Sequence, residues 1–384
     1  MIINIFGSTG EIGKKTLKIL SQDFPNLKVN LLCANSNVNL LIKQIKLYKP
    51  RYVYLDDPNA STKLKAKVKK NIQIFKFRDL SEYLTNSKSD FSILAISGYK
   101  SLYYLDSIVK NTNNLGIVSK EAIVSAGHLF KKNKYFDKTN IYPLDSEHFS
   151  IYEFFNTNKS IHNLNKIYIT ASGGPFYKKK HKTLDKVKFS QAIKHPKWKM
   201  GYKNSIDSAT LVNKCLEVVE AHYLFDIEYK KIKVLIHPQA IIHSIIQKDN
   251  YVSNLILFKN DMSIPIINFL LQSKSKNKFN NKNLEYSNFS DFNFLEVEND
   301  IFPIYKYFYK LDKSKPANLI KFNVGNEWAV NMFKSNLIKY TDIYKIIKKV
   351  GSLNLYSSLN TIKEVIEYHE QIEIKIKKIF KNYF

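Results

Sequence analysis

The N-terminus combines a short apolar segment, a glycine-rich turn and the start of an amphipathic helix. Residues 2–6 predict a strand that runs directly into Gly7-Ser-Thr-Gly10-Glu-Ile-Gly13. In such a turn the glycines let the backbone approach a pyrophosphate, and the helix N-terminus offers N–H groups to it. The spacing is G-x-x-G-x-x-G rather than G-x-G-x-x-G, and a tight turn without a ligand is the alternative interpretation. The segment favours a nucleotide-binding α/β fold.

Apolar segments alternate with helical or lysine-rich segments through the following part of the chain. Further strands are expected at 29–33, 52–55, 72–75, 91–96 and 115–118. This alternation predicts a doubly wound parallel sheet with helices on both faces. Strands are also expected at 167–170, 232–236 and 252–258, and helices at 315–335, 341–350 and 358–382.

The segment after the second strand contains small polar residues, Asn35-Ser-Asn37. An acidic residue near this point would hold the ribose 2′-hydroxyl of NAD, so its absence favours NADP. Ser119-Lys-Glu121 follows the strand at 115–118, where the ligand crevice of such a sheet opens. A solvated lysine and glutamate at a strand end are the alternative.

Asp145 and Glu147 follow the apolar segment that ends at Leu144. In an extended segment their carboxylates would point to the same side, where they repel one another unless a cation lies between them. Oxygen ligands of this kind suit Mg²⁺ or Mn²⁺. His148 would point to the other side and is expected to be structural.

The segment 207–220 predicts one helix that is capped at its start by Asp207 and Ser208. On it Asn213, Lys214 and Glu217 share one polar face of an otherwise apolar helix. This face is either a functional site or a solvated surface with one ion pair.

Two loops carry further candidate residues. Ser172-Gly-Gly174 follows the strand at 167–170 and predicts either an anion-binding nest or an ordinary turn. His195-Pro-Lys-Trp198-Lys-Met200 places a large aromatic residue in a polar loop, which is typical of a lid.

The net charge of +27 comes almost entirely from lysine, because only two of the sixty basic residues are arginine. Nucleic-acid surfaces use arginine heavily for bidentate contacts, so neither nucleic acid nor a membrane is expected as a partner. The sequence contains no targeting segment that we recognise, and its two cysteines lie in apolar surroundings. We therefore expect a cytoplasmic protein.

Taken together, these segments resemble the 1-deoxy-D-xylulose 5-phosphate reductoisomerase family over nearly the whole chain. The resemblance rests on Gly7-Ser-Thr-Gly10-x-Ile-Gly13, Leu144-Asp-Ser-Glu-His148, Ala171-Ser-Gly-Gly-Pro-Phe176, His195-Pro-x-Trp198-x-Met-Gly201, Asp207-Ser-Ala-Thr-x-x-Asn213-Lys-x-Leu-Glu217, His237-Pro-Gln-x-x-Ile-His243 and Asn323-x-x-Asn326-Glu327. It implies an NADPH-binding Rossmann-like domain at 1–144, a catalytic and dimerisation domain at 145–271, a linker at 272–297 and a helical domain at 298–384.

The resemblance also assigns roles to residues. It implies metal binding by Asp145, Glu147 and Glu217, and substrate binding by Ser146, Glu147, Ser172, His195, Ser208, Asn213, Lys214 and Glu217. The implied catalytic residues are Lys120, His195 and the three metal ligands, and the implied lid residues are Trp198 and Met200. Implied cofactor contacts are Thr9, Gly10, Glu11, Ile12, Ser36, Asn37, Ser119, Glu121 and Gly201.

The implied reaction rearranges the carbon skeleton of a ketose phosphate and then reduces the resulting aldehyde with NADPH, in a homodimer that needs Mg²⁺ or Mn²⁺. Four positions depart from the family pattern, namely Glu11, Ser119, Tyr202 and Cys215. Glu11 places a negative charge near the pyrophosphate and Tyr202 removes a positive one, which Lys203 or Lys199 are candidates to replace. The alternatives are another NADP-dependent dehydrogenase of a phosphorylated substrate, or a basic binding protein without catalysis.

Overall fold

The computed structural model describes residues 1–68, 72–130, 136–157, 164–179, 181–195, 201–273 and 291–381. The chain packs into two compact units. The first consists of Met1–Ser119, Phe130–Phe149 and Asp261–Asn283, and the second of Lys120–Leu129, Ser150–Asn260 and Leu284–Phe384. The three functional domains and the linker expected from the sequence stay a prediction.

The first unit contains a seven-stranded sheet in which every pair of neighbouring strands is parallel. Its strands are β1 (Ile2–Phe6), β2 (Lys28–Ala34), β3 (Tyr52–Leu55), β4 (Gln73–Phe75), β5 (Ser89–Leu94), β6 (Thr112–Ile117) and β7 (Asn140–Pro143). The order across the sheet is β4-β3-β2-β1-β5-β6-β7. The predicted doubly wound α/β sheet is therefore confirmed, and its strand order reverses between β1 and β5, where ligands of such sheets bind.

Helices cover both faces of this sheet. They are α1 (Glu11–Asp23), α2 (Val38–Tyr48), α3 (Pro58–Lys65), α4 (Phe77–Asn86), α5 (Leu102–Asn111) and α11 (Ser263–Leu271). Ile3, Ile5 and Ile93 of the strands are fully buried in a core to which α1, α2, α3 and α11 contribute. Phe269 of α11 packs edge-on against Phe91, with 5.4 Å between ring centroids. A Cβ on Gly116 would lie 3.0 Å from Phe269 Cε1, so the glycine leaves room for that ring.

The second unit contains a four-stranded sheet of order β11-β10-β8-β9. Its strands are β8 (Leu164–Ala171), β9 (Ile232–Ile236), β10 (Ile242–Lys248) and β11 (Ser253–Leu257). β8 and β9 are parallel, whereas β10 is antiparallel to both β8 and β11. The sequence predicted three of these strands, and β10 was missed.

The helices of the second unit are α6 (Lys120–Ala126), α8 (Phe189–Ala192), α9 (Tyr202–Ala209), α10 (Val212–Phe225), α12 (Pro303–Lys310), α13 (Pro316–Lys334), α14 (Asp342–Gly351) and α15 (Ile362–Ile379). The last three agree with the predicted C-terminal helices. The remaining helix, α7 (Ser146–Thr157), contains the unit boundary at Phe149. No helix in the described ranges is long and apolar enough to cross a membrane. Most of the predicted linker, residues 274–290, lies outside the described residues.

The predicted single helix at 207–220 is wrong in one respect. Asp207 and Ser208 do not begin a helix but lie in the last turn of α9. Leu211 then adopts a left-handed conformation with φ of +64°, and α10 starts only at Val212. The left-handed residue interrupts the helical hydrogen bonds, so the polar residues on α10 start a new helix.

Candidate active site

The glycine turn after β1 is held in one geometry by close backbone contacts. Gly7 has φ of +93°, and a Cβ there would lie 2.4 Å from the carbonyl oxygen of Ala95. A Cβ on Gly13 would lie equally close, 2.4 Å, to the Gly7 carbonyl oxygen. Gly10 precedes α1 and provides no side-chain cap. The first N–H groups of α1 therefore face outward without a capping side chain, as an anion-binding helix N-terminus requires.

Glu11, the first residue of α1, stands next to this turn. Its carboxylate is exposed and lies 2.5 Å from Lys14 Nζ, one helical turn away. The ion pair offsets part of the negative charge that the sequence places near the pyrophosphate position.

The other predicted cofactor contacts of the first unit lie at strand ends. Ser36 and Asn37 follow β2, and the Asn37 side chain accepts a hydrogen bond of 3.1 Å from Leu40 N at the start of α2. Ser119 follows β6 and donates to Ser101 Oγ at 2.8 Å. All three residues occupy the carboxyl edge of the parallel sheet, where the sequence predicted them.

The segment 145–148 is not extended, and the predicted alternation of its side chains is wrong. Asp145 follows β7, and its Oδ1 accepts a hydrogen bond of 3.2 Å from Glu147 N. This contact is typical of an N-cap residue. Ser146, Glu147 and His148 form the first turn of α7. Two carboxylates at a helix N-terminus are stabilised by its positive potential.

Side-chain contacts organise this first turn. Ser146 Oγ donates to Glu147 Oε2 at 2.5 Å. His148 is fully buried, and its Nδ1 lies 3.1 Å from Asp145 Oδ1. His148 therefore fixes the orientation of the Asp145 carboxylate. From the sequence, the two side chains were expected to point in opposite directions.

Glu217 on α10 is fully buried and is surrounded by donors from its own unit. Lys214 Nζ lies 2.6 Å from Oε2, and Lys120 Nζ of α6 lies 3.1 Å from Oε1. Asn213 also donates to Oε1. The shared polar face of Asn213, Lys214 and Glu217 is confirmed, and it is buried rather than solvated. Two ammonium groups offset the cost of burying this carboxylate.

Ser172 and His195 are brought together although they lie on different loops. Ser172 Oγ lies 2.9 Å from His195 Nε2, and the N–H of Gly174 donates to Ser172 Oγ at 3.3 Å. Gly173 and Gly174 both have positive φ. A Cβ on Gly174 would lie 2.8 Å from the carbonyl oxygen of Ser208, so the glycine turn packs directly against the end of α9. Ser172, His195 and Ser208 thus share one region of the second unit.

A charge cluster formed by Lys203, Glu121, Asp207 and Glu327 was not predicted from the sequence. Glu121 and Asp207 are buried, whereas Lys203 and Glu327 are partly buried. Lys203 Nζ lies 2.6 Å from Asp207 Oδ2 and 3.0 Å from Glu121 Oε1. Although burial lowers the pKa of Lys203, the neighbouring carboxylates raise it overall. Asn326 Nδ2 donates to Asp207 Oδ1 at 2.8 Å. The four-residue spacing of Lys203 and Asp207 on one helix is a sequence signal from which that pair could have been found.

Lys203 is therefore engaged in ion pairs and does not replace the positive charge missing at Tyr202. The Tyr202 hydroxyl instead donates to Asn331 Oδ1 at 3.1 Å, and Lys334 Nζ lies 4.1 Å from the centre of its ring. The cation that contacts the Tyr202 ring is thus Lys334 and not Lys203.

Gly201, a predicted cofactor contact, directly precedes α9. Among the described residues, no atom lies within 4 Å of the position that a Cβ on Gly201 would occupy, so this backbone borders open space. The predicted lid residues Trp198 and Met200, together with Lys199, lie outside the described residues.

Three family models match the chain. The 1-deoxy-D-xylulose 5-phosphate reductoisomerase model covers residues 3–127, the model of its C-terminal domain covers 141–225, and the DXP reductoisomerase C-terminal domain model covers 257–374. Proteins named 1-deoxy-D-xylulose 5-phosphate reductoisomerase are similar along the whole length. The one from Pelagibacter ubique is 35% identical over 98% of this chain and 99% of its own. The apicoplastic one from Plasmodium falciparum is 33% identical over 99% and 83%.

Solved structures are similar as well. A DOX-P reductoisomerase in complex with NADPH, fosmidomycin and magnesium superposes with a TM-score of 0.91 at 28% identity, covering 100% of this chain and 98% of that one. The Zymomonas mobilis 1-deoxy-D-xylulose 5-phosphate reductoisomerase in complex with NADPH gives a TM-score of 0.87 at 28% identity, with 98% of both chains covered.

Proposed function

The chain belongs to the 1-deoxy-D-xylulose 5-phosphate reductoisomerase family, and from this premise we propose which of its residues carry out the reaction. It is an NADPH- and divalent-metal-dependent oxidoreductase that converts 1-deoxy-D-xylulose 5-phosphate to 2-C-methyl-D-erythritol 4-phosphate for isoprenoid precursor synthesis. The observation that carries this conclusion is similarity from end to end, over both units, to proteins of that name.

NADPH supplies the hydride that reduces the aldehyde carbon of the rearranged substrate. We propose that the pyrophosphate lies on the turn formed by Thr9, Gly10, Glu11 and Ile12. The uncapped N-terminus of α1 supports this assignment, because its N–H groups suit a phosphate. The remaining proposed contacts are Ser36, Asn37, Ser119, Glu121 and Gly201.

A bound divalent cation would supply Lewis acidity to oxygen atoms of the substrate. We propose that Asp145, Glu147 and Glu217 hold it. The donor set fits Mg²⁺ or Mn²⁺, since all three residues offer carboxylate oxygens and no sulfur or imidazole. The hydrogen bond from His148 holds the Asp145 carboxylate in one orientation.

The proposed phosphate site consists of Ser172, His195, Ser208, Asn213 and Lys214. Support comes from the Ser172–His195 contact and from the packing of Gly174 against Ser208, which bring hydroxyl, imidazole and backbone N–H donors into one region. The phosphate group is remote from the bonds that change. Its binding energy can therefore orient the sugar for reaction. The lid role of Trp198 and Met200 stays a prediction from the family resemblance.

Lys120 and Ser146 are the groups proposed to contact the reacting end of the substrate. Lys120 Nζ lies 3.1 Å from Glu217 Oε1 and 3.6 Å from Glu220 Oε2. These two carboxylates hold the ammonium group in place. A positioned ammonium can donate a hydrogen bond to an oxygen on which negative charge develops.

We further propose a cytoplasmic homodimer that binds neither nucleic acid nor membranes. The support is the family resemblance and the lysine-dominated, arginine-poor charge. Light scattering coupled to gel filtration would measure the mass, and a value of one chain would contradict the dimer.

The test of the function is NADPH oxidation followed by absorbance with purified protein, Mn²⁺ or Mg²⁺, and 1-deoxy-D-xylulose 5-phosphate. Oxidation is expected only when both metal and phosphosugar are present, and Glu217→Gln is expected to abolish it. Glu228→Gln is the control, because this exposed carboxylate pairs with Lys230 at the surface. Tight NADPH binding without oxidation of this substrate would favour another dehydrogenase, and DNA binding without NADPH binding would favour the binding-protein alternative.

A further inference from the structure

A cavity of about 800 Å³ lies beyond the carboxyl ends of β2 and β3 in the first unit. Ser36 and Asn37 line it from the start of α2, and Asp57, Asn59, Lys63 and Lys67 line it from α3 and its flanks. Backbone hydrogen bonds of 3.0 Å from Asp56 N to Ala34 O and 3.1 Å from Asp57 N to Asn35 O join the two strand ends. One wall of the cavity is the start of α2, and the other is α3 with the turn that follows it.

We propose that Lys63 and Lys67 bind the 2′-phosphate of the adenosine ribose of NADPH and so set the preference for NADPH over NADH. The inference rests on the proposed function, because it takes the dinucleotide to lie across the carboxyl edge of the sheet with its pyrophosphate at α1. In such folds the adenosine ribose lies at the end of β2, which is where this cavity opens.

The polar groups of the cavity suit a phosphate better than a hydroxyl. NAD sites place a carboxylate after β2 to accept from the 2′-hydroxyl, whereas this chain has Ser36 and Asn37 there. Among the residues that line the cavity, Asp57 is the acid. Its Oδ1 accepts a hydrogen bond of 2.7 Å from Ala60 N and caps α3. The positive potential of the helix start offsets the charge of this carboxylate.

Lys63 and Lys67 supply the cations that a phosphate needs. Both side chains are exposed, and in the described ranges neither forms an ion pair. A hydrogen bond of 3.0 Å from Lys67 N to Leu64 O closes the turn after α3 and keeps Lys67 near Lys63. A phosphomonoester carries a charge of about −1.5 to −2 near neutral pH, so two lysines balance it. Lys65 lies between them but does not line the cavity.

Dissociation constants for NADPH and NADH, measured by the fluorescence of the bound dinucleotide, test the inference. The variants are Lys63→Gln, Lys67→Gln and the double substitution, with Lys65→Gln as a control that makes the same charge change on the same helix. Each single cavity variant should weaken NADPH binding about tenfold and the double variant about 100-fold, as expected for the loss of charge-assisted hydrogen bonds. NADH binding should change by less than about twofold in all of them, because NADH lacks the phosphate.

Competition with adenosine 2′,5′-bisphosphate and adenosine 5′-monophosphate isolates the phosphate contact. The double variant should lose affinity for the bisphosphate and keep its affinity for the monophosphate. Three outcomes would each overturn the inference while leaving the proposed function intact. They are equal losses of affinity for NADPH and NADH, an unchanged dissociation constant for NADPH, and a matching loss of NADPH affinity in Lys65→Gln. A wild-type protein that binds neither dinucleotide would contradict the proposed function and this inference together.

Discussion

Lys203 and Asp207 lie one turn apart on α9, and the ammonium of Lys203 contacts the Asp207 carboxylate at 2.6 Å in the interior of the second unit. The same ammonium reaches Glu121 on α6 at 3.0 Å. One cation therefore pairs with carboxylates from two helices. It links Glu121, the residue after Lys120, to α9, which carries Ser208.

Lys203→Met should lower the free energy of unfolding by about 3–5 kcal/mol, because it leaves Glu121 and Asp207 buried without their cation. Urea denaturation followed by circular dichroism measures this change. Lys230→Met is the control, since Lys230 pairs with Glu228 at the surface and should cost less than about 1 kcal/mol. Similar losses in the two variants would show that the buried cluster contributes no more than a surface pair.

Stability should fall as the pH rises through the range in which Glu327 loses its proton. Burial raises the pKa of Glu327 to about 8 from an ordinary value of 4.5, with Lys203 opposing and Glu121 and Asp207 assisting the shift. The folded chain thus keeps a proton that the unfolded chain releases. This contribution to stability is complete below about pH 4.5 and is lost as the pH approaches 8.

Urea denaturation of the wild type and Glu327→Gln between pH 5 and 9 checks this prediction. Glutamine stays neutral, so the variant should gain stability relative to the wild type as the pH rises. A difference that is independent of pH, or that changes in the opposite direction, would contradict it.

His148→Phe should weaken Mn²⁺ binding by about 10- to 100-fold, which is typical for the loss of a hydrogen bond that orients a metal ligand. Phenylalanine keeps a ring in the buried position but cannot bond to Asp145 Oδ1. Paramagnetic resonance of free Mn²⁺ gives the dissociation constant. His222→Phe, which removes a hydrogen bond to the Ile227 carbonyl instead, should leave it unchanged. Equal affinities in the wild type and His148→Phe would rule out this orienting role.

Glu11→Ser and Tyr202→Arg should each lower the Michaelis constant for NADPH. The first removes a negative charge near the proposed pyrophosphate position, and the second adds a positive one. The Glu11 effect should be no more than a few-fold, since its carboxylate is exposed, screened by salt and paired with Lys14. Steady-state kinetics at low and high salt measure both variants. Wild-type constants in the two variants would show that these departures from the family pattern do not weaken cofactor binding.

The parallel sheet and the glycine turn could be predicted because their physical requirements are local. Buried parallel strands are short apolar runs, so Ile2–Phe6 and Tyr52–Leu55 could be read directly from the sequence. The turn needs small residues where Gly7 and Gly13 approach other backbone atoms, and only glycine meets that requirement.

The break between α9 and α10 could not be predicted. Leu211 adopts a positive φ that leucine rarely takes, so nothing in the sequence marks it as a helix boundary. The cap assigned to Asp207 and Ser208 failed for this reason. The start of α7 did carry a signal, because Asp145 is a favourable residue before a helix, but the paired carboxylates suggested an extended segment instead.

The charge cluster around Lys203 could not be predicted from the sequence for a different reason. Glu121, Asp207 and Glu327 belong to α6, α9 and α13, and their proximity depends on how these helices pack. The metal and phosphate residues, by contrast, were assigned through the family resemblance, which encodes such packing in the order of its motifs.

The position of α11 in the chain has a consequence for biosynthesis. Phe269 of this helix packs against Phe91 in the first sheet, yet Ser263 begins 120 residues after Pro143, the last residue of β7. At typical translation rates the ribosome needs roughly 6–24 s to synthesise that interval. During that time α1, α2 and α3 are available to pack on the nascent sheet, but the apolar surface that α11 covers stays exposed. A gene fragment that stops after β7 should yield an aggregating polypeptide rather than an isolated nucleotide-binding module.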